Sequence, residues 1–169
     1  MLMDSPVVVV NSTPVIFLHS ICHLDLLQKL YRKVLIAEAV HQEVIENNTD
    51  NNGNDFISQY NWIEVLKIKN ESARKTFITS LHIGEVETMI LAMETSADLC
   101  VLDDLLARKH AKRLNLNVIG TLGVLVAAKK LNHIDAVKPI IDQLISGGMY
   151  LSDNVYDSVL SLANELKSI

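Results

Sequence analysis

One stretch near the amino terminus decides the fold class: Pro6-Val7-Val8-Val9-Val10-Asn11-Ser12-Thr13-Pro14. Its valines form a short β-branched run, and a strand that is apolar on both faces is typical of the centre of a parallel sheet covered by helices on each side. The polar residues that follow end the strand, and Pro14 suits the first turn of a helix with Ser12 or Thr13 as its cap. The stretch therefore predicts a strand that leads directly into a helix.

Short apolar runs followed by helical patterns recur along the chain. Three more runs predict buried strands, at Val34–Ile36, Leu99–Leu102 and Asn117–Ile119. Trp62–Ile68 alternates between its two faces and predicts a half-exposed edge strand. Helical patterns cover Ala37–Glu46, Ser72–Ser80, Gly84–Ser96, the segment after Asp104 as far as Leu114, the segment after Thr121, Ile134–Ser146 and Ser152–Lys167. Strands that alternate with helices predict an α/β sandwich with a mainly parallel sheet.

Length and composition favour one domain over residues 1–169, with its C-terminal helices starting at residue 134. The chain has 169 residues, of which 49% are apolar and 21% are charged. This composition can build a sizeable core, and it excludes a disordered chain, a collagen-like fibre and a disulfide scaffold. The Asn-rich segment 47–54 has no apolar residue to anchor it and is predicted to be a mobile loop.

Net charge, cysteine content and the search for targeting signals limit which cellular compartment and which binding partners we expect. Fifteen Lys and Arg against twenty Asp and Glu give a net charge of −5, which argues against a protein that simply coats nucleic acid. Cys22 and Cys100 lie far apart in the sequence and favour a reducing compartment in which both thiols are buried. Because the sequence shows neither a basic leader nor an apolar run of membrane-spanning length, we expect a cytoplasmic protein without membrane contact.

Polar side chains follow three of the predicted strands. Asn11 follows the first, Asp103 and Asp104 follow the strand at 99–102, and Thr121 lies just after the strand at 117–119. Ligands of open parallel sheets bind beyond the carboxyl ends of the strands, and oxygen donors of this kind suit a hard cation. Taken singly, each residue is better explained as a helix cap or a turn residue. Together they favour a site, because one Asp suffices as a cap and two are present.

Three glutamates extend the set of candidate ligands. Glu43 lies at the border of the apolar stripe of its predicted helix, where a carboxylate needs a partner or a metal unless it reaches past the edge to solvent. The pattern leaves both explanations open. In the helix at 84–96, Glu85 and Glu87 both lie off the apolar stripe, and periodicity does not choose between them.

A basic cluster occupies the helix after Asp104: Arg108, Lys109, Lys112 and Arg113. Arg108 and Lys112 are four residues apart and share a face that could meet phosphates, although such a run is more often a solvated surface. The sequence contains no GxSxG elbow, no P-loop and no GxGxxG fingerprint. Acyl transfer and nucleoside triphosphate hydrolysis therefore have no support.

Several of these residues together resemble a known family. The stretch Val8–Pro14 is similar to the opening strand and first acidic corner of a PIN domain, with Asn11 where the family usually has Asp. Further matches to one mostly uncharacterised PIN-like branch, related to VapC-type toxins, are Gly84-Glu85-Val86-Glu87, Leu102-Asp103-Asp104, Ala107-Arg108, Ala111 and Gly120-Thr121-Leu122-Gly123-Val124. The resemblance runs from about Val7 to the final helix.

The resemblance implies a three-layer α/β/α sandwich with a small parallel sheet and acids that bind Mg²⁺ or Mn²⁺. The family's acidic positions fall on Asn11, Glu43, Glu85 and Asp103, with Asp104 nearby, so the resemblance selects Glu85 over Glu87. Glu43, Glu85 and Asp103 would be catalytic, and the substrate's phosphates would meet Arg108, Lys112 and Thr121. Members are typically metal-dependent ribonucleases, often homodimers, and the toxins pair with a small antitoxin protein.

These observations lead to three competing hypotheses about function. The first is an endoribonuclease that hydrolyses RNA phosphodiesters with Mg²⁺ or Mn²⁺, as the toxin of a type II toxin–antitoxin pair. The second is a weakened PIN module that binds RNA or a protein partner without cleavage, because Asn11 offers a carbonyl oxygen but no charge. A weaker third reading is a structural subunit that uses its apolar helices to oligomerise.

Overall fold

Five short strands form one parallel sheet at the centre of the molecule. The computed structural model describes residues 5–47, 54–77 and 79–166. The strands are β1 (Val8–Val10), β2 (Val34–Ala37), β3 (Ile63–Leu66), β4 (Leu99–Val101) and β5 (Val118–Ile119). They lie in the order β3-β2-β1-β4-β5, and each neighbouring pair is parallel. The predicted parallel sheet is therefore confirmed, with the strand at Trp62–Ile68 on its edge.

Helices connect the strands and cover both sides of the sheet. They are α1 (Ser12–Ser20), α2 (Asp25–Tyr31), α3 (Glu38–Asn47), α4 (Ile83–Glu94), α5 (Leu105–Arg113), α6 (Thr121–Lys130), α7 (Lys138–Ser146) and α8 (Asp153–Leu162). Helix α4 packs against β1, β2 and β4 and against α3, whereas α2 packs against α6. The three-layer α/β/α sandwich is confirmed.

The position of β1 in the core explains its unbroken run of valines. All three residues of β1 are completely buried, because β1 has a strand on either side and helices above and below. A strand in this place can be apolar on both faces without exposing any of them. The unbroken valine run is therefore the signature of the central strand.

The structure differs from the predicted elements at several places, and one of these is helix α8, which ends at Leu162 and not at Lys167. Glu71–Thr76 is a 3₁₀ helix rather than part of an α-helix over 72–80, and the Asn70 side chain caps it by accepting from the Ala73 N–H. Helix α2 and the short 3₁₀ helix Ile57–Gln59 were not predicted. Helix α7 begins at Lys138, four residues later than predicted, with a proline in its first turn.

The predictions on the cysteines and the Asn-rich segment have different outcomes. Cys100 is buried as expected, but Cys22 is exposed, because it lies in the turn that follows α1 and has a positive φ of 57°. Of the segment 47–54, residues 48–53 lie outside the described part of the chain, so its predicted mobility stays a prediction. None of the helices in the described residues is long and apolar enough to span a membrane.

Candidate metal and phosphodiester site

The carboxyl ends of β1 and β4 bring two predicted site residues to the same edge of the sheet. These strands are neighbours in register, with Val10 opposite Val101. Asn11, the first residue after β1, donates its backbone N–H to the Val101 carbonyl at 3.0 Å. Asp103 follows β4 by two residues, and so both exits open at this edge.

A cavity of about 660 Å³ lies beside Asn11 at the start of α1. Three predicted site residues line it, namely Asn11, Glu43 and Glu85. The other lining residues are Ser12, Thr13, Ile16, Phe17, Glu46, Asn47, His82 and Ile83. Asp103 and Asp104 lie beyond this lining, at the exit of the neighbouring strand. The structure thus gathers one part of the predicted set in a cavity and places the other part next to it.

Glu43 is held between two helix N-termini. Its Oε2 accepts a hydrogen bond from the Ser12 hydroxyl at 2.6 Å, and its Oε1 accepts one from the Gly84 N–H at 2.9 Å. Helix α3 carries Glu43, while Ser12 begins α1 and Gly84 lies in the first turn of α4. The carboxylate at the stripe border therefore has protein partners, and each of its oxygens keeps a second lone pair for a ligand.

Ser12 or Thr13 was expected to cap α1, and this prediction is wrong. The helix starts one residue earlier, with Asn11 as its N-cap, so Ser12 lies inside the first turn. Its hydroxyl instead donates a hydrogen bond to Glu43. Thr13 also lies within the helix. The Asn11 side chain makes no capping hydrogen bond, which leaves its amide available to the cavity.

Asn11 is a buried amide with a weak internal partner. It is 2% exposed, and its Oδ1 lies 3.4 Å from the Thr88 hydroxyl. That hydroxyl also lies 2.7 Å from the Gly84 carbonyl and carries a single proton. The shorter contact takes the proton, so Asn11 receives little from Thr88 and retains a lone-pair oxygen that suits a hard cation.

Glu85 and Glu87, which periodicity could not tell apart, have separate environments. Glu85 lines the cavity and accepts the His82 N–H at 3.0 Å. Glu87 is 2% exposed and is bound by the Arg74 guanidinium and by the Ala39 N–H. Glu85 is therefore the glutamate of this pair that can reach a ligand in the cavity.

Burial and like charges act together on Glu85. Desolvation raises its pKa, and the negative charges of Asp104 and Glu43 raise the pKa further, against the opposing effect of the His82 N–H and imidazole. A cation in the cavity would relieve this repulsion. At Glu85, burial and neighbouring carboxylates together outweigh the hydrogen bond and the charge of His82.

Asp103 is anchored by one residue. Its Oδ1 accepts the Thr121 N–H at 2.7 Å and its Oδ2 accepts the Thr121 hydroxyl at 2.7 Å. Burial raises the pKa of Asp103, and the two Thr121 bonds and the charge of Arg108 oppose this rise. Thr121 is fully buried with both donors directed to Asp103, so the structure shows it as the support of that carboxylate.

The remaining predicted residues lie around α5. Asp104 is the N-cap of this helix and accepts the Ala107 N–H at 2.8 Å. Arg108 is half-buried and Lys112 is exposed one turn further on. Helix capping by Asp104 is compatible with a second role, because a carboxylate has four lone-pair sites and the cap uses one.

The chemistry of the donor set fits a hard divalent cation. Every donor is an oxygen: three carboxylates, at Glu43, Glu85 and Asp103, and the amide of Asn11. Over the three described ranges, no three His, Cys, Asp or Glu side chains form a ready metal-binding group. Each carboxylate is instead held by internal hydrogen bonds.

Several residues that shape this site have roles that were not predicted from the sequence. Ser12 and Gly84 donate hydrogen bonds to Glu43. His82 contacts Glu85, and Thr88 contacts Asn11. A serine directly after the strand exit was visible in the sequence, but the alternative of a helix cap explained it equally well. Its partner 31 residues away could be found only in three dimensions.

A family model described as a PIN domain matches residues 7–165. This range contains every strand and helix of the fold and all of the candidate site residues. No curated protein matches the chain.

Proposed function

The chain belongs to the PIN-domain family, and on this premise we propose that it is an endoribonuclease that hydrolyses RNA phosphodiesters with Mg²⁺ or Mn²⁺. PIN domains are generally nucleases that use divalent metals. One observation carries the proposal for this chain. Asn11, Glu43 and Glu85 line the same cavity, and Asp103 lies at the exit of the adjacent strand.

Glu43, Glu85 and Asp103 would hold the cation, assisted by the Asn11 amide oxygen and by Asp104. When bound, a hard divalent cation offsets the charge of a phosphodiester and lowers the pKa of a water molecule. The protein's own part is to keep the carboxylates in place. Ser12 and Gly84 fix Glu43, and Thr121 fixes Asp103.

Two basic residues complete the proposed site. Arg108 lies close enough to Asp103 to lower its pKa, so its guanidinium is placed to steady negative charge on a leaving oxygen. Lys112 shares its helix face one turn away and is exposed, which suits contact with a neighbouring phosphate. Thr121 would act on the substrate indirectly, through Asp103.

The toxin role and the protein partners form part of the same proposal. They rest on the resemblance to VapC-type toxins, which implies a homodimer and a small antitoxin protein. A cytoplasmic location fits an RNA substrate and two free thiols. Arrest of cell growth on induced expression, relieved by a small protein encoded next to the gene, would test this role.

A non-cleaving PIN module is the second candidate function, and Asn11 favours it. The usual first acid of the family is here a neutral amide, so the site holds one negative charge fewer. RNA or partner binding in the absence of Mg²⁺ or Mn²⁺ binding, measured by calorimetry at millimolar metal, would support this alternative over the nuclease.

Cleavage of single-stranded RNA tests the nuclease directly. We expect the purified protein with Mn²⁺ to cut RNA internally, and Asp103→Ala to abolish the cut. Asp157→Ala, which changes an exposed carboxylate on α8, is the matched control and should retain activity. Equal cleavage by the wild-type protein and Asp103→Ala would overturn the proposed mechanism.

A further inference from the structure

Gly84 lies flat against the carboxylate of Glu43. A Cβ atom at position 84 would fall 2.4 Å from Oε2, 2.6 Å from Oε1 and 2.6 Å from Cδ of Glu43. All three atoms belong to the carboxylate, and all three distances are too short for real contacts. The Glu43 head group therefore occupies the space that any side chain at position 84 would need.

Gly120 has the same relationship with Asp103. A Cβ atom there would fall 2.8 Å from Asp103 Oδ1 and 3.6 Å from an Arg108 guanidinium nitrogen. The backbone at Gly120 is extended, with φ −104° and ψ −178°, which any residue adopts. Conformational freedom thus does not explain the glycine, whereas the nearby carboxylate does.

The other described glycines serve different purposes. Gly123 faces Ile119, Gly147 has only ordinary contacts at 3.4 Å and beyond, and Gly148 has a positive φ of 103° with open space around it. Among the five glycines in the described part of the chain, those that touch carboxylates are the two beside Glu43 and Asp103. Both of these acids belong to the proposed metal-binding set.

Each of these carboxylates also has the same two kinds of donor. Glu43 receives one backbone N–H, from Gly84, and one hydroxyl, from Ser12. Asp103 receives both from Thr121. Each acid is therefore surrounded by a backbone N–H at a helix start, a hydroxyl and a glycine. The groups around Glu43 come from α1 and α4. Those around Asp103 come from Gly120 and Thr121 at the start of α6.

We propose that Gly84 and Gly120 are positioning residues, and that each provides the surface on which one metal-binding carboxylate rests. The inference rests on the proposed function, since it assigns to the glycines the placement of Glu43 and Asp103. A methyl group at either position would overlap the carboxylate, and we expect the acid to move because its head group is the end of a flexible side chain. Displacement breaks the hydrogen bonds that aim the carboxylate, and groups that orient metal ligands commonly contribute 10- to 100-fold to metal affinity.

Calorimetric titration with Mn²⁺ alone tests the proposal. We expect Gly84→Ala and Gly120→Ala each to weaken Mn²⁺ binding by about tenfold or more. Gly147→Ala is the control, because a methyl group there meets only ordinary contacts. Because a displaced Glu43 loses hydrogen bonds from Ser12 and Gly84, the Tm of Gly84→Ala should also fall, and the titration is run well below that Tm, where circular dichroism shows the variant to be folded. Wild-type Mn²⁺ affinity in both variants would refute the positioning role.

A second substitution at Glu43 sharpens the test. Glu43→Asp withdraws the carboxylate by one methylene and makes room for a methyl group at position 84. We expect the double variant Glu43→Asp with Gly84→Ala to bind Mn²⁺ more tightly than the two single losses predict. Strict additivity of the two losses would contradict direct contact between the residues.

Carbon-13 spectra of the metal-free protein separate this inference from the proposed function. We expect the Glu43 carboxyl signal to move in Gly84→Ala and the Asp103 signal to move in Gly120→Ala, with neither moving in Gly147→Ala. If the wild-type protein binds no Mn²⁺, the metal-dependent function fails, but moved carboxyl signals would still support the positioning role. Unmoved signals would overturn it.

Discussion

Thr121 donates two hydrogen bonds to Asp103, one from its backbone N–H and one from its hydroxyl, each at 2.7 Å. A single residue at the start of α6 thus binds both oxygens of a carboxylate that follows β4. The pair joins the exits of two neighbouring strands. It also partly offsets the desolvation that raises the pKa of Asp103.

Thr121→Val should therefore destabilise the fold. Valine has the same shape as threonine but leaves Oδ2 of Asp103 without its hydroxyl donor, and hydrogen bonds to charged groups contribute about 1.5–3 kcal/mol. We expect the free energy of unfolding in urea to fall by about this amount. Thr95→Val is the matched control, because Thr95 donates to a neutral carbonyl, that of Leu91. An equal loss in both variants would show that the charge of Asp103 is unimportant.

Asn11→Asp should make stability depend on metal. A carboxylate at this buried position would face Glu43 and Glu85. We therefore expect the free energy of unfolding of the metal-free variant to be lower by about 1–3 kcal/mol. Millimolar Mn²⁺ should restore the loss, since a cation offsets the added charge. Thermal unfolding with and without Mn²⁺ measures both effects. Asn154→Asp adds the same charge on an exposed part of α8, and an equal Mn²⁺ response there would exclude a site at position 11.

The ion pair between Arg74 and Glu87 should respond unequally to loss of its two partners. The Glu87 side chain is 2% exposed and that of Arg74 is 36% exposed. Arg74→Met leaves a buried unpaired carboxylate, and we expect a loss of about 3–5 kcal/mol. In Glu87→Gln the side-chain amide oxygen can still accept the Ala39 N–H, and Arg74 can turn to solvent. We therefore expect the free energy of unfolding to fall by only about 1–2 kcal/mol.

Urea unfolding of the two single variants checks this order. Arg74→Met combined with Glu87→Gln should recover part of the loss caused by Arg74→Met, because the combined variant has no unpaired buried charge at position 87. A larger loss from Glu87→Gln than from Arg74→Met would contradict the burial of Glu87 as the cause.

The fold was predictable because the burial of a short strand determines the pattern of apolar residues in its sequence. The valines of β1 could be read as a central strand, and the alternation of Trp62–Ile68 as an edge strand. Segments whose structure depends on particular side-chain contacts were not predicted as well. The 3₁₀ helix Glu71–Thr76 depends on the Asn70 cap, and its Arg74 is bound to Glu87 in α4.

The candidate site was predictable only in part. Strand exits identify Asn11 and Asp103, because parallel strands end at the same edge. The choice of Glu85 over Glu87 needed the family resemblance, since both lie off the apolar stripe. The roles of Ser12 and Gly84 depend on contacts over 31 and 41 residues, which no local pattern encodes.

Glu165 should make stability fall in acid. Burial alone would raise its pKa, but hydrogen bonds from the Lys129 ammonium and from the N–H groups of Val137 and Lys138 lower the pKa below its ordinary value of 4.5. The folded protein therefore binds this proton less readily than the unfolded chain. The stabilisation is complete above about pH 4.5 and is lost as the pH falls through the lowered pKa.

Glu165→Gln should remove this pH dependence. At pH 7 we expect the variant to be less stable by about 1.5–3 kcal/mol, because three donors lose a charged acceptor. The difference from the wild-type protein should shrink as the pH is lowered below 4.5, since the wild-type carboxyl then becomes neutral as well. Urea unfolding at a series of pH values measures this difference, and Asp157→Asn on the exposed side of α8 should change it little. A constant difference between wild type and Glu165→Gln at every pH would mean that shape, not charge, ties Glu165 to the start of α7.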